Sequence, residues 1–547
     1  MRPHAPEMAE QYRAKEYWTD RLLIDFLEAA VSRVPGKVAI VDDRFGAVTY
    51  RALQDRVWRL AVALHQRGIR SGDCFIIALP NWQHAPALML ALGYLGAIGV
   101  HMPVLGRERE FEGVLRASRA KGIAVPACYH SYDYASMVDS IALAHEVLEL
   151  KIAVDLGNPL LGWIDFEQLL EEARRPVPDR GWRPGADEVT SVLFTSGSSG
   201  DPKGAIHSAN TLGACNTTVA PIYGFDSDTV IFMAASLGFS AGLIHGPRLA
   251  IYLGATLVLQ ESWNAEQALQ TMAREGAAFT LFTPTLLHDL LESEIFAEYA
   301  PRLVLQLILC GGANVPRHLL RKARKYLPNT LTSVIWGMTE GIGTACRPQD
   351  PPDCITGTDG QPFLGTELET LGPEGESLKP DTEGELVMRG PQRFLGYFGR
   401  PELDDEIFLP GDWLRTGDIA SIDSKGYVKI SGRHKEIIIR GGANISPAEV
   451  ETALSSDPRI RQISVVSMPD QRLGERLCAC IVLTESSASL TLDDLKEMAK
   501  QAGLAKYKWP ERIQILESLP MTSGGKVLRR VLQEQVHTVL VGDDLAG

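Results

Sequence analysis

At 547 residues the chain exceeds one ordinary domain and has the length of about three or four. An apolar fraction of 45% supplies a core, and a net charge of −14 with no long basic run argues against nucleic acid or an anionic membrane as the main partner. The eight cysteines (Cys74, Cys128, Cys215, Cys310, Cys346, Cys354, Cys478 and Cys480) are scattered without a C-x-x-C pair, which argues against a zinc site or a disulfide scaffold and for free thiols in a reducing cytosol.

The N-terminal segment MRPHAPEMAEQYRAKEYW has no apolar core and shows no signal peptide. Leu22–Val34 has helical spacing and stops at Pro35-Gly36. Val38–Asp42 and Phe75–Leu79 read as strands, with a helix from Tyr50 to Arg67 between them. The uncharged stretch Asn81–Gly106 reads as a buried helix near Ala85–Leu95 and a strand near Ile98–Val104. A membrane span needs about 20 predominantly apolar residues, and Pro86, Pro103 and the glycines break this stretch. Val189–Phe194 is a β-branched, apolar run that reads as a buried strand. Strands and helices alternate through Trp336, which implies α/β layers with largely parallel sheets. Thr356–Arg400 is rich in glycine and proline with short β-like runs such as Gly384–Arg389, a β-rich subdomain. The charged segment Gly432–Glu436 separates this large part from a second α/β alternation: a helix near Pro447–Leu454, strands near Ile463–Met468 and Leu477–Leu483, and a helix near Leu492–Gln501. The final DDLAG carries no lipidation or peroxisomal signal. A cytoplasmic protein without stable membrane insertion is expected.

Leu193–Gly204, LFTSGSSGDPKG, follows the predicted strand and concentrates glycines, hydroxyls and one lysine. Glycines admit close backbone approach, hydroxyls and N–H groups donate, and Lys203 neutralises charge, which is what a polyphosphate needs. The G-x-x-G-x-x-K spacing, followed by Gly204, is not a Walker A loop. Alone, the loop reads either as such a cradle or as a Ser/Gly linker. Thr339-Glu340 sets a carboxylate beside a hydroxyl, which alone reads first as a solvated helix start and otherwise suits Mg²⁺. Asp418 lies in RTGD, and TGD alone reads as a common turn. Lys526 in TSGGKVLRR is either an exposed turn lysine or a charge placed for catalysis. The twelve histidines lack metal-ligand spacing.

The phosphate-type loop is followed, in order, by IWGMTEG (Ile335–Gly341), LRTGDIASID (Leu414–Asp423), GRHKEIIIRGGANISPAEVE (Gly432–Glu451) and LPMTSGGKVLRR (Leu519–Arg530). With these motifs the chain, from Leu27 to Leu532, resembles the AMP-forming acyl-CoA synthetase (adenylate-forming) superfamily. The resemblance implies a large N-terminal α/β domain with a β-rich subdomain (1–432), a hinge (433–436) and a small mobile C-terminal α+β domain (437–547). It places Thr195, Ser196, Gly197, Ser198, Ser199, Gly200 and Lys203 on the β- and γ-phosphates. Gly311, Gly312, Ala313, Trp336, Gly337 and Met338 lie on the adenine side. Trp336 stands where the family usually has Tyr, and an indole face still stacks on adenine. Thr339 is implied at the α-phosphate, Glu340 at Mg²⁺, Asp418 at the ribose, where its carboxylate can accept from both vicinal hydroxyls, Arg433 at the ribose or a phosphate, and Lys435 at the hinge. Lys526 is implied as the adenylation lysine, and Gly441 and Gly442 along the pantetheine tunnel.

LGFSAGLIHG (Leu237–Gly246) resembles the family's acyl-gate segment. Phe239 stands where many relatives have His; it is either a gate or part of the core, and with Gly337 and Gly341 it bounds the implied acyl pocket. The amino-acid-activating branch carries an Asp in this segment, and its absence here favours a neutral, apolar acyl group. Glu16-Tyr17-Trp18 and Tyr132-Asp133-Tyr134 look most like bacterial ligases for cyclic and medium-length carboxylic acids. The resemblance thus implies a carboxylate–CoA ligase using ATP, Mg²⁺ and CoA. The alternatives are an adenylating enzyme serving a carrier protein or an amine, and a non-catalytic nucleotide-binding protein on the same fold.

Overall fold

Apolar runs bounded by turn residues become the inner strands of two large sheets. The computed structural model describes residues 1–547 apart from 143–147, 174–176, 196–201, 434–435, 441–442, 471–472, 485–488, 503, 505, 523–525 and 546–547. One sheet runs in the order Lys203–Ser208, Val189–Thr195, Ile98–His101, Cys74–Ile77, Gly122–Pro126, Leu150–Val154 and Ile164–Asp165. All its pairings are parallel except the edge hairpin of Val189–Thr195 with Lys203–Ser208. The other sheet is built around Leu331–Met338, Leu307–Gly311, Phe279–Phe282, Val230–Met233, Thr256–Leu259 and Val38–Asp42, again parallel, with antiparallel strands at both edges.

Parallel sheets are covered on both faces, which explains the continuous apolar runs. In the second sheet Ile231, Leu257, Phe279 and Leu307 face a core shared with Ile76, Val100, Ile123 and Val192 of the first. Their chain neighbours Phe232, Val258 and Ile308 point the other way, onto the helices Ala265–Glu275, Pro284–Glu292 and Arg317–Tyr326. The uncharged stretch is a buried helix, His84–Tyr94, followed by the strand Ile98–His101. Among the described residues no helix is long and apolar enough to cross a membrane.

The β-rich part continues past Arg400. Its antiparallel sheet runs Glu367–Leu371, Gly384–Arg389, Leu414–Ile422, Val428–Arg433. In Leu414–Ile422 the inward positions are Leu414, Thr416, Asp418 and Ala420, so strand period alone turns the Asp418 carboxylate inward. The C-terminal segment forms its own sheet from Ile438–Arg440, Ala443–Ile445, Ile460–Asp470, Gly474–Leu483 and Arg512–Ile515, with separate cores. Strand pairing therefore changes sheet between Arg433 and Ile438. Pro447–Leu454 and Leu492–Gln501 are helical as expected; Ser446 caps the first by accepting from the Glu449 N–H, and Pro447 takes the first turn.

Candidate active site

The site gathers at the C-terminal ends of parallel strands, where open α/β sheets bind ligands. Val189–Thr195 delivers the phosphate-type loop. Thr195 and Lys203 are direct partners in the edge hairpin, so the intervening loop springs from a closed base. Ser196, Gly197, Ser198, Ser199 and Gly200 lie outside the described residues. The Lys203 ammonium sits 5.5 Å from the centroid of the Tyr397 ring, within cation–π range.

Thr339 and Glu340 occupy the turn between Leu331–Met338 and Gly341–Ala345, where Met338 pairs with Gly341. This is a β-hairpin, not a helix start, and Glu340 is not solvated: the residue is 7% exposed. Its carboxylate Oε1 accepts from the Tyr397 hydroxyl at 2.5 Å, and its carbonyl accepts from the Phe394 N–H. Burial, and next the Glu340 charge, push the Tyr397 phenol upward, so it keeps the proton it donates. Oε2 of Glu340 has no hydrogen-bond partner among the described residues. One available carboxylate oxygen beside a threonine hydroxyl fits Mg²⁺, which takes one or two carboxylates plus water and substrate phosphates. Among the described residues no cluster of three or more His, Cys, Asp or Glu offers an all-protein metal cage.

Thr339 is anchored twice. Its hydroxyl lies 3.3 Å from that of Ser240, and its carbonyl lies 2.9 Å from His207 Nε2. A carbonyl only accepts, so Nε2 carries the proton and Nδ1 accepts from Thr211. Burial lowers His207 to about 4 and keeps it neutral. Phe239, half-buried, precedes the short helix Ser240–Leu243, so the expected gate position adjoins the Ser240–Thr339 contact.

On the ribose side, Asp418 is 3% exposed. Trp336 Nε1 donates to Oδ2 at 2.9 Å and Arg433 Nε to Oδ1 at 2.9 Å. The Trp336 indole therefore orients Asp418. Its ring lies over Gly343, where a Cβ would come within 2.0 Å of Trp336 Cζ3. Gly311 fills a different need: a Cβ there would meet the Ile335 carbonyl oxygen at 2.5 Å, so the glycine permits two strands to close up. Gly312, at φ +82°, turns the chain out, leaving Gly312, Ala313 and Gly337 exposed toward the cleft while Gly341 is buried.

Lys526 comes from the C-terminal segment. The Met521–Val527 bridge and hydrogen bonds linking Thr522 and Lys526 hold it in a tight hairpin. The lysine is exposed, yet it shares an electrostatic field with Arg433, Glu340, Asp418 and Glu436. Surrounding protein, and next the Arg433 cation, hold its ammonium below the usual lysine value. Four of the motifs thus converge: Glu340, Asp418 and Arg433 from the large part and Lys526 from the small one. Asn314 also donates to Thr452 across the same junction at 3.3 Å. Lys435, Gly441 and Gly442 lie outside the described residues.

Tyr397, His207, Ser240 and Gly343 were not singled out by sequence reasoning. Tyr397 lies in LGYFGR, a stretch tied to the site by tertiary contacts, among them the bridge between Ala205 and Tyr397 and the backbone bonds of Ile206 with Leu395 and Gly396. His207 sits on a strand buried throughout from Gly204 to Ser208, so no alternation in the sequence marks it.

The chain matches two family models, that of an AMP-binding enzyme over residues 27–398 and that of the AMP-binding enzyme C-terminal domain over 449–526. It is 31% identical to a medium-chain fatty-acid–CoA ligase of Escherichia coli (strain K12), covering 97% of this chain and 93% of that protein. It is 30% identical to a salicyl-AMP ligase / salicyl-S-ArCP synthetase of Mycobacterium tuberculosis, covering 98% and 94%. The fold matches an anthranilate CoA ligase in complex with anthranoyl-AMP at a TM-score of 0.86, with 24% identity over 95% of this chain and 98% of that one.

Proposed function

Because the chain belongs to the AMP-binding enzyme family of AMP-forming ligases, we propose that it is an ATP-dependent carboxylate–CoA ligase for a largely apolar acid. The observation that carries this reading is the approach of Lys526 to Glu340, Asp418 and Arg433 across the junction of two separately cored units. Such a site supplies donors and positive charge rather than a nucleophile, as the union of a carboxylate with a phosphate requires.

The acid's carboxylate attacks the α-phosphorus of ATP, the bond to the β-phosphate oxygen breaks, and pyrophosphate leaves. The loop Thr195–Lys203 holds the β- and γ-phosphates. Asp418, oriented by Trp336 and Arg433, accepts from the ribose hydroxyls. Lys526 bridges the substrate carboxylate and an α-phosphate oxygen. Mg²⁺, when bound at Glu340, offsets phosphate charge. Residues 1–432 and 437–547 then turn about 433–436, with Lys435 at the hinge, bringing Gly441 and Gly442 beside the pantetheine path. The CoA thiol attacks the acyl carbonyl and AMP leaves. A cytoplasmic location accords with eight free cysteines.

A carrier protein as acyl acceptor is the second reading, supported by the likeness to the salicyl-S-ArCP synthetase. A carboxylic acid panel assayed for pyrophosphate release with and without CoA, with products identified by mass, tests both. Acyl-CoA formed only when CoA is present supports the ligase. Acyl-AMP that accumulates unchanged in the presence of CoA rejects it.

A further inference from the structure

The segment Pro391–Tyr397 is held from two sides. On one side lies the N-terminal arm. The Leu395 carbonyl accepts from the Arg2 N–H at 2.7 Å, the Arg393 carbonyl from His4 Nε2 at 3.1 Å, and the Pro391 carbonyl from Trp18 Nε1 at 2.8 Å. Carbonyls at every second position are thus bonded to the arm. His4 and Trp18 are both buried and meet edge to face, with ring centroids 5.0 Å apart. Arg2 also pairs with Asp405, and the Ala5 N–H donates to Asp412 Oδ2 at 2.8 Å.

On the other side lies the turn that carries Glu340. The Phe394 N–H donates to the Glu340 carbonyl at 2.9 Å, and the Tyr397 hydroxyl donates to its carboxylate. The Tyr397 backbone is fixed independently. Its N–H donates to the buried Asp404 carboxylate at 2.7 Å. Its neighbours Gly396 and Phe398 bond to Ile206 and Gly204, on the strand that begins at Lys203. Among the described residues the Tyr397 hydroxyl is the only hydrogen-bond partner of the Glu340 carboxylate. One oxygen is therefore pinned and the other left open, so the side chain is ordered before any cation arrives.

We propose that Tyr397 is a positioning residue for Glu340, and that the arm from Arg2 to Trp18 sets its place through the carbonyls of Pro391, Arg393 and Leu395. The inference rests on the ligase reading, because it takes Glu340 as a ligand of Mg²⁺ beside the ATP phosphates. Tyr397 acts through Glu340. Without the hydroxyl a buried carboxylate oxygen loses its hydrogen bond, and the metal must order the side chain as it binds.

The test uses the full chain, Tyr397→Phe, Trp18→Phe, Glu340→Gln and the double variant Tyr397→Phe/Glu340→Gln. Calorimetry gives the Kd for ATP in Mg²⁺ and in EDTA, and the ratio measures what the metal adds. Tyr397→Phe should shrink that ratio about tenfold while the Kd in EDTA moves by less than about twofold. Trp18→Phe deletes the donor to Pro391 but leaves Tyr397 intact, and should shrink the ratio by about threefold or more. The double variant should lose no more than Glu340→Gln alone, because the hydroxyl then has nothing to act through. Should Tyr397→Phe not fold, Trp18→Phe decides. An unchanged ratio in either single variant, an equal loss with and without metal, or additive losses in the double variant overturns the proposal. ATP binding needs no acid, so these outcomes stand apart from the ligase reading, which the acid panel judges by pyrophosphate release.

Discussion

Lys526→Ala should separate the two half-reactions. The ammonium lies in the field of three carboxylates, Glu340, Asp418 and Glu436, while Arg433 opposes it. Once a polyphosphate and an acid enter, Lys526 is placed for the charge that develops between them. Removing one preorganised contact of this kind costs about 10²–10³ in rate, or about 2.7–4 kcal/mol. Arg433 stays in the cleft as a second cation, so the loss should remain within that range. Lys526 is exposed, and its hairpin is held partly by the Thr522 hydroxyl and by backbone bonds that alanine keeps. Folding stability should therefore change by no more than about 0.5 kcal/mol. Single-turnover pyrophosphate release measures the first half-reaction, and conversion of supplied acyl-AMP to acyl-CoA measures the second. Equal loss of both, or a drop in melting temperature large enough to explain the loss, would refute the reasoning.

Glu340→Gln keeps shape but removes charge from the one oxygen open to a cation, so the Mg²⁺ needed for half-maximal pyrophosphate release should rise sharply; an unchanged titration takes Glu340 out of the metal site. Trp336→Phe keeps the ring over Gly343 but deletes a donor to a buried carboxylate, a loss of about 1.5–3 kcal/mol, and should raise the KM for ATP about tenfold or more with little change for the acid. His4 and His101 are lowered to about 3, and His207 and His245 to about 4, by burial first in each case. The unfolded chain takes up these protons near pH 6.5, so stability is full above that pH and declines as pH falls toward 4. His245→Leu should flatten the decline by up to about 1.4 kcal/mol per pH unit, and an identical slope in urea titrations would remove His245 from the account. Lys435→Pro fixes φ near −65° at the proposed hinge and should leave one turnover of pyrophosphate release while acyl-CoA formation collapses; acyl-CoA at the unaltered rate would move the hinge elsewhere.

Local chemistry made much of the fold legible. Pro447–Leu454 has its cap Ser446, its proline Pro447 and its first-turn acid Glu449 within four residues, so its ends coincide with expectation. Val38–Asp42 and Gly384–Arg389 are bounded by turn residues and likewise match. The β-rich part was expected to stop too early because Leu414–Ile422 interleaves polar with apolar residues, and its inward polar groups looked like turn chemistry. The site was legible as motifs but not as contacts. Nothing near Glu340 in the chain foretells the Tyr397 hydroxyl 57 residues on, nor that Phe394 would cap its carbonyl.

The direct pairing of Thr195 with Lys203 bears on how tightly the proposed phosphate loop would hold a polyphosphate. The two ends of the intervening segment are fixed at one interstrand spacing, about 4.8 Å, before any ligand arrives. A ligand bound between these ends thus need not bring them together, and that share of the chain entropy is charged to folding instead of binding. Lengthening the segment by a residue or two should alter the fit to phosphate far more than the closure term, which grows only with the logarithm of loop length. Weakening the hairpin at Phe194–Gly204 would act oppositely, leaving every donor in place while loosening ATP.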